Sequence, residues 1–150
     1  KHFPEKQMKA VTSLCKQLIS KHKISSYNVL AHSDIAPDRK DDPGAYFNWQ
    51  QLYTEGIGIF NEIDYVTTPN NPIIGYGEKS NEVKKIQNLL KDFGYNINTD
   101  GVFEDKTRNV ITAFKRHFNP EYLEYIFSEL DLRILNNLLH KLQHIKSLGL

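Results

Sequence analysis

Between His32 and Gly44 the chain reads His-Ser-Asp-Ile-Ala-Pro-Asp-Arg-Lys-Asp-Asp-Pro-Gly, one imidazole followed by four carboxylates on a stretch stiffened by two prolines. A neutral imidazole and a carboxylate held together suit Zn²⁺, which takes N and O ligands at about 2.0–2.2 Å. His32 and one of the carboxylates would then form half of a metal site. A surface or capped histidine beside Ser33 and Asp34 accounts for the same residues, and spacing alone favours that plainer reading. A second pair, His140 and His144, stands at the i, i+4 spacing that can hold a metal on one helix face. The intervening Lys141-Leu142-Gln143 lacks the Glu of a zinc-protease motif. The single cysteine, Cys15, can form no internal disulfide, and its neighbours Leu14 and Leu18 suggest a buried thiol on a helix face.

These residues need elements to position them. From Pro4 to His22 the apolar residues Met8, Val11, Leu14, Cys15, Leu18 and Ile19 recur at helical spacing, with Pro4 near the first turn. Tyr27-Asn28-Val29-Leu30-Ala31 has the length and composition of a short buried strand. It would deliver His32 to a long ordered loop or site reaching Gly44, since two prolines and many charges exclude a regular element there. Phe47 to Tyr53 reads as a short helix closed by Gly56 and Gly58.

Composition shifts between Thr67 and Gly77, where Thr-Thr-Pro-Asn-Asn-Pro marks a domain boundary. Beyond it, apolar faces predict helices over about 80–93, 104–118 and 131–148. Gly94 is a C-cap candidate and Asp100-Gly101 a tight-turn signal. Three helices with one structured loop make a small bundle.

The chain has 150 residues with 19 Lys+Arg against 18 Asp+Glu, a net charge of +1. That balance provides no global field for nucleic acid or an anionic membrane, so any partner is recognised locally. No apolar run approaches the roughly 18 residues of a membrane span. The expectation is a soluble chain with no nucleic-acid partner and no transmembrane segment.

The string His32-Ser-Asp-Ile-Ala-Pro-x-Arg-Lys-x-Asp-Pro-Gly44, followed by an aromatic and Trp49, resembles the type 2 zinc N-acetylmuramoyl-L-alanine amidases. The resemblance covers about residues 1–65 and includes the preceding helix and strand. It implies that His32 and Asp42 are zinc ligands and that Lys40 lies beside the scissile amide as a cation for the oxyanion. Zn²⁺ is the implied cofactor, and the implied reaction is hydrolysis of the amide between N-acetylmuramic acid and L-alanine by a zinc-activated water. Asp34, Asp38 and Asp41 read as turn and loop-capping carboxylates. Arg39 reads as an ion-pair partner, and Trp49 as a core or cleft aromatic. The family's domain has a further portion before the helix that opens this chain, carrying the first zinc His, most of the sheet and the catalytic Glu. None of His2, His22, His117, His140 and His144 stands in the context of that missing His.

A second resemblance begins at Gly77. Glu82-Val-Lys-Lys-Ile-Gln-Asn-Leu-Leu90, Phe93-Gly-Tyr95, Asp100-Gly-Val-Phe103, Thr107 and Val110-Ile-Thr-Ala-Phe114 are similar to the bacterial peptidoglycan-binding domain of three-helix type. It implies a wall ligand near the Asp-Gly loop, with Tyr95, Asp100 and Phe103 as candidates. Lys115 stands where family members often have Gln.

Together the two resemblances imply an α+β chain. Residues 1–68 would be the C-terminal portion of a mixed-sheet zinc amidase domain, and residues 77–148 a small three-helix peptidoglycan-binding bundle. The expected protein is a peptidoglycan hydrolase fragment of the bacterial cell envelope, periplasm or outer membrane. Its expected partners are peptidoglycan and an upstream chain with the rest of the amidase domain. The alternative is a non-catalytic wall-binding remnant. An unpaired strand edge at Val29-Leu30 would make residues 1–65 unstable alone.

Overall fold

A computed structural model describes residues 2–150, among which lie six α-helices and one two-stranded sheet. The α+β class holds. Helix α1 (Glu5–His22) follows Pro4 and stops where Lys23 turns left-handed at φ 52°. Only Met8 of this helix is buried. Leu14 and Leu18 are 55% and 42% exposed, so the apolar face read from the sequence is only partly covered. Cys15 is half-buried rather than enclosed, and that burial pushes its thiol pKa up.

No strand forms over Tyr27–Ala31. The chain makes a 3₁₀ turn at Ser26–Asn28 and then continues extended, with Val29 at φ −91°, ψ 100° and Ala31 at φ −78°, ψ 155°. The backbone has strand dihedrals but no partner strand among the described residues. Helices α2 (His32–Ile35) and α3 (Trp49–Thr54) flank the turns from Ala36 to Asn48. The Asn48 side chain caps α3 by accepting the Gln51 N–H at 2.9 Å.

The sheet lies elsewhere. Strand β1 (Pro72–Gly75) pairs antiparallel with β2 (Ile126–Ser128), setting Ile74 opposite Phe127. Both side chains are within 2% of full burial. The sequence reading missed both strands: four and three residues are too few to show period-two alternation. By this pairing β1, read as linker, joins the C-terminal helices.

Helices α4 (Asn81–Phe93), α5 (Asp105–Phe118) and α6 (Glu129–Ser147) match their predicted bounds within two residues. Ser80 caps α4 by accepting the Val83 N–H, and Gly94 ends it at φ 129°. Ser128 and Asp131 form a reciprocal capping box on α6. The core between them holds Phe103, Phe114, Phe127, Leu130, Ile134 and Leu138, all fully buried. Each such side chain contributes roughly 1.5–3 kcal/mol by leaving water. Lys115 is inside this core as well. Its Nζ lies 3.0 Å from Asp131 Oδ2, off the line of a hydrogen bond, with both side chains at 1% exposure or less.

One hydrophobic core runs through the molecule from Met8 and Trp49 to Leu142. Residues 1–65 therefore bury part of their apolar surface against the C-terminal helices.

Candidate metal-binding loop

His32 opens α2 and Asp42 lies within the turn region that follows. The Ser33 N–H donates to the Asp42 carbonyl at 3.1 Å, closing the loop between them. His32 Nδ1 then faces Asp42 Oδ2 at 3.2 Å. Both side chains are exposed, at 46% and 64%, so two donors meet on an open surface. An imidazole nitrogen beside a carboxylate oxygen fits the donor preference of Zn²⁺. Among the described residues, no three His, Cys, Asp or Glu side chains group to hold a metal. His140 and His144 are both exposed on α6.

Lys40 lies inside the same loop, its N–H bonded to the Ala36 carbonyl at 3.0 Å, and its side chain makes no ion pair among the described residues. Arg39 is exposed and likewise unpaired among them; Asp41 finds its cation in Arg116 of α5 instead, at 2.8 Å. Asp38 accepts from Asn109 Nδ2 at 3.1 Å.

Asp34 does more than cap its turn. It is 8% exposed. Its Oδ2 accepts the Ala31 N–H at 2.9 Å and approaches His117 Nδ1 at 2.7 Å, while Oδ1 accepts the Tyr95 hydroxyl at 2.7 Å. Burial pushes the Asp34 carboxyl pKa up, but the electrostatic attraction and hydrogen bond of His117, with the Tyr95 hydroxyl and the Ala31 N–H, together carry it below the ordinary carboxylate value. An ionised Asp34 only accepts, so His117 Nδ1 carries the proton between them. The His117 ring is stacked on Trp49 at 3.8 Å and on Phe118 at 3.9 Å. Sequence reasoning missed His117 because its partners lie 68 and 83 residues away.

The C-terminal candidates fall on different sides of the surface. Phe103 is fully buried, and Tyr95 is 6% exposed with its hydroxyl taken by Asp34. Burial and the adjacent Asp34 charge hold the Tyr95 phenol pKa well above its ordinary value. Asp100 is exposed and borders a polar groove of about 380 Å³ with Tyr76, Asn98, Glu104 and Asp105. Its carboxylate also serves the turn, accepting from the Val102 N–H at 3.0 Å and from Gln87 Nε2 at 3.1 Å. Gln87, fully buried and given no role of its own in the sequence motif, ties that turn to α5 through Thr107 and accepts the Gly101 N–H at 2.8 Å. Gly101 has φ +79°, and a Cβ there would lie 3.0 Å from the Ser80 carbonyl oxygen.

Residues 1–45 match the N-acetylmuramoyl-L-alanine amidase family model, and residues 79–122 match that of the peptidoglycan binding domain. The chain is similar in sequence and in fold to N-acetylmuramoyl-L-alanine amidases. It is 36% identical over 124 residues to the amidase AmiD of Escherichia coli, an alignment covering 79% of this chain and 42% of AmiD. Over 51 residues it is 33% identical to the 1,6-anhydro-N-acetylmuramyl-L-alanine amidase AmpD of Enterobacter cloacae, covering 34% of this chain and 27% of AmpD. The structure of AmiD with its substrate anhydro-N-acetylmuramic acid-L-Ala-D-γ-Glu-L-Lys superposes on 93% of this chain with a TM-score of 0.78 and 33% identity. The chain covers 53% of that structure. AmpDh3 of Pseudomonas aeruginosa, in complex with an anhydromuramic pentapeptide, gives 0.70 at 26% identity over 94% of this chain and 55% of its own. The chain thus spans about half the length, or less, of these amidases.

Proposed function

We propose that this chain works in peptidoglycan hydrolysis, supplying two ligands and a cation to a zinc site that cleaves the amide between N-acetylmuramic acid and L-alanine. The observation that carries this reading is the His32–Asp42 approach of 3.2 Å across a loop closed by its own backbone bond. His32 and Asp42 would hold the zinc. Zinc bound there would activate a water and polarise the amide carbonyl. Lys40, in the same loop, would stabilise the negative charge that develops on the amide oxygen. AmiD holds the substrate anhydro-N-acetylmuramic acid-L-Ala-D-γ-Glu-L-Lys and AmpDh3 an anhydromuramic pentapeptide, which supports the same bond here.

The proposed division is residues 1–68 for the amidase part and 77–148 for the wall-binding part. The groove beside Asp100 is the proposed contact with peptidoglycan in the second part. Tyr95 and Phe103 support that contact from beneath, by packing. A weak second site on an insoluble polymer raises the effective concentration of cleavable bonds at the first. The proposed location is accordingly the bacterial cell envelope.

A second reading is favoured by the metal geometry: two donors meet and no third is near among the described residues. On that reading the chain binds the wall without cutting it, unless a partner chain supplies the remaining ligand and the base. Purified sacculi with added Zn²⁺ separate the two. Release of stem peptide that is lost in His32→Ala establishes hydrolysis; retention on sacculi without release establishes binding alone.

A further inference from the structure

Three polar contacts converge on the metal loop from a single helix. Along α5, Asn109 holds Asp38, Arg116 holds Asp41, and His117 holds Asp34, at 3.1, 2.8 and 2.7 Å. All three carboxylates lie between His32 and Asp42 in sequence. The loop has little order of its own: α2 is four residues long, and beyond it only turns reach Asp42. Four carboxylates within nine residues also repel one another, so a loop that folds them together needs counter-charges or donors. Those donors come from α5, which lies within the residues that match the peptidoglycan binding domain.

We propose that α5 is a positioning element for the metal loop, with Asn109, Arg116 and His117 setting the separation of His32 and Asp42. Neither Asn109 nor Arg116 touches either proposed ligand; each acts through a carboxylate that fixes the loop backbone. The metal part of this inference rests on the zinc reading above. The wall-binding domain is then a structural component of the zinc site as well as a tether to the polymer.

The test uses the full 150-residue chain. Amide hydrogen exchange is followed in residues 32–42 of the wild type, of Asn109→Ala/Arg116→Gln, and of Asn109→Ala/Arg116→Lys. Zn²⁺ binding to each, and to His32→Ala, is measured by calorimetry. The expected result in Asn109→Ala/Arg116→Gln is exchange at Ser33 and Lys40 about tenfold faster, with α4 and α6 unchanged and zinc bound about tenfold more weakly. Lysine reaches Asp41 as a single donor, so Arg116→Lys restores most of both. Unchanged exchange, or faster exchange with unaltered zinc affinity, overturns the proposal. If the wild type binds no zinc, or His32→Ala binds it equally well, the zinc reading itself fails and the positioning role goes with it. That failure is distinct from one in which wild-type binding depends on His32 but is indifferent to α5.

Discussion

His117 and Asp34, 83 residues apart in sequence, meet at 2.7 Å inside the protein and join the His32–Gly44 segment to the last turn of α5. The pair is 2% and 5% exposed at its side chains. Removing His117 leaves a buried carboxylate with only the Ala31 N–H and the Tyr95 hydroxyl to answer its charge, at a cost of about 3–5 kcal/mol. His117→Ala is expected to fall in that range by urea denaturation, with Trp49 and Phe118 losing a stacked ring as well.

The acid limb of stability follows from Asp34. Its folded pKa is depressed, so the stability it contributes is present above the ordinary carboxylate value and is lost as pH falls through the lowered folded value. Unfolding midpoints across the acid range should fall for the wild type and be flatter for Asp34→Asn. A wild-type profile with the same slope as the variant would show that folding does not lower the Asp34 pKa.

Tyr95 gives the opposite sign at high pH. Its phenol is held well above the ordinary value, so its contribution is complete below that value and is lost as pH rises beyond it. Of the eight tyrosines, Tyr95 should resist alkaline titration most strongly, and Tyr95→Phe should remove that most resistant group. The same variant is expected to cost about 1–2 kcal/mol from the lost Asp34 hydrogen bond and to retain sacculus binding. Loss of binding with the fold intact would return Tyr95 to the ligand surface.

Lys115 and Asp131 are an unequal pair. Asp131 also accepts from Ser128 N, Ser128 Oγ and Asn119 Nδ2, whereas Lys115 Nζ has only the carboxylate beside it. Lys115→Met leaves a carboxylate that keeps three donors and should therefore cost less than removing Asp131. Asp131→Ala leaves a buried ammonium and should cost about 3–5 kcal/mol. Thermal melts of the two variants check the order, and equal losses would refute it.

Gly101→Ala tests the Asp-Gly turn. A methyl group at φ +79° and 3.0 Å from the Ser80 carbonyl should cost about 1–3 kcal/mol. Because Asp100 belongs to the same turn, sacculus retention should weaken in the folded variant, measured by pull-down below its melting temperature.

The helices could be read in the sequence because each long apolar face repeats at 3.6 residues, and Ser80, Gly94 and Gly101 mark turns through chemistry local to the chain. His32 and Asp42 stand out in the sequence only through the motif that contains them, and their side chains lie 3.2 Å apart. The strand expected at Val29–Leu30 did not form because a ladder needs a second backbone, which local composition cannot supply. Asp34 looked like a turn carboxylate, which it is; its partners Tyr95 and His117 come from another part of the chain and leave no local mark. Gln87 was hidden for the same reason, as one polar residue in an amphipathic helix whose bonds reach 13 to 20 residues onward.

The stacking of Trp49 on His117 has an optical consequence. The chain has one tryptophan, and its ring lies 3.8 Å from an imidazole contributed by α5. Its emission is thus a built-in gauge of that contact, free of background from any other indole. Separation of α5 from α3 would change the intensity and colour of a single fluorophore, with no label attached.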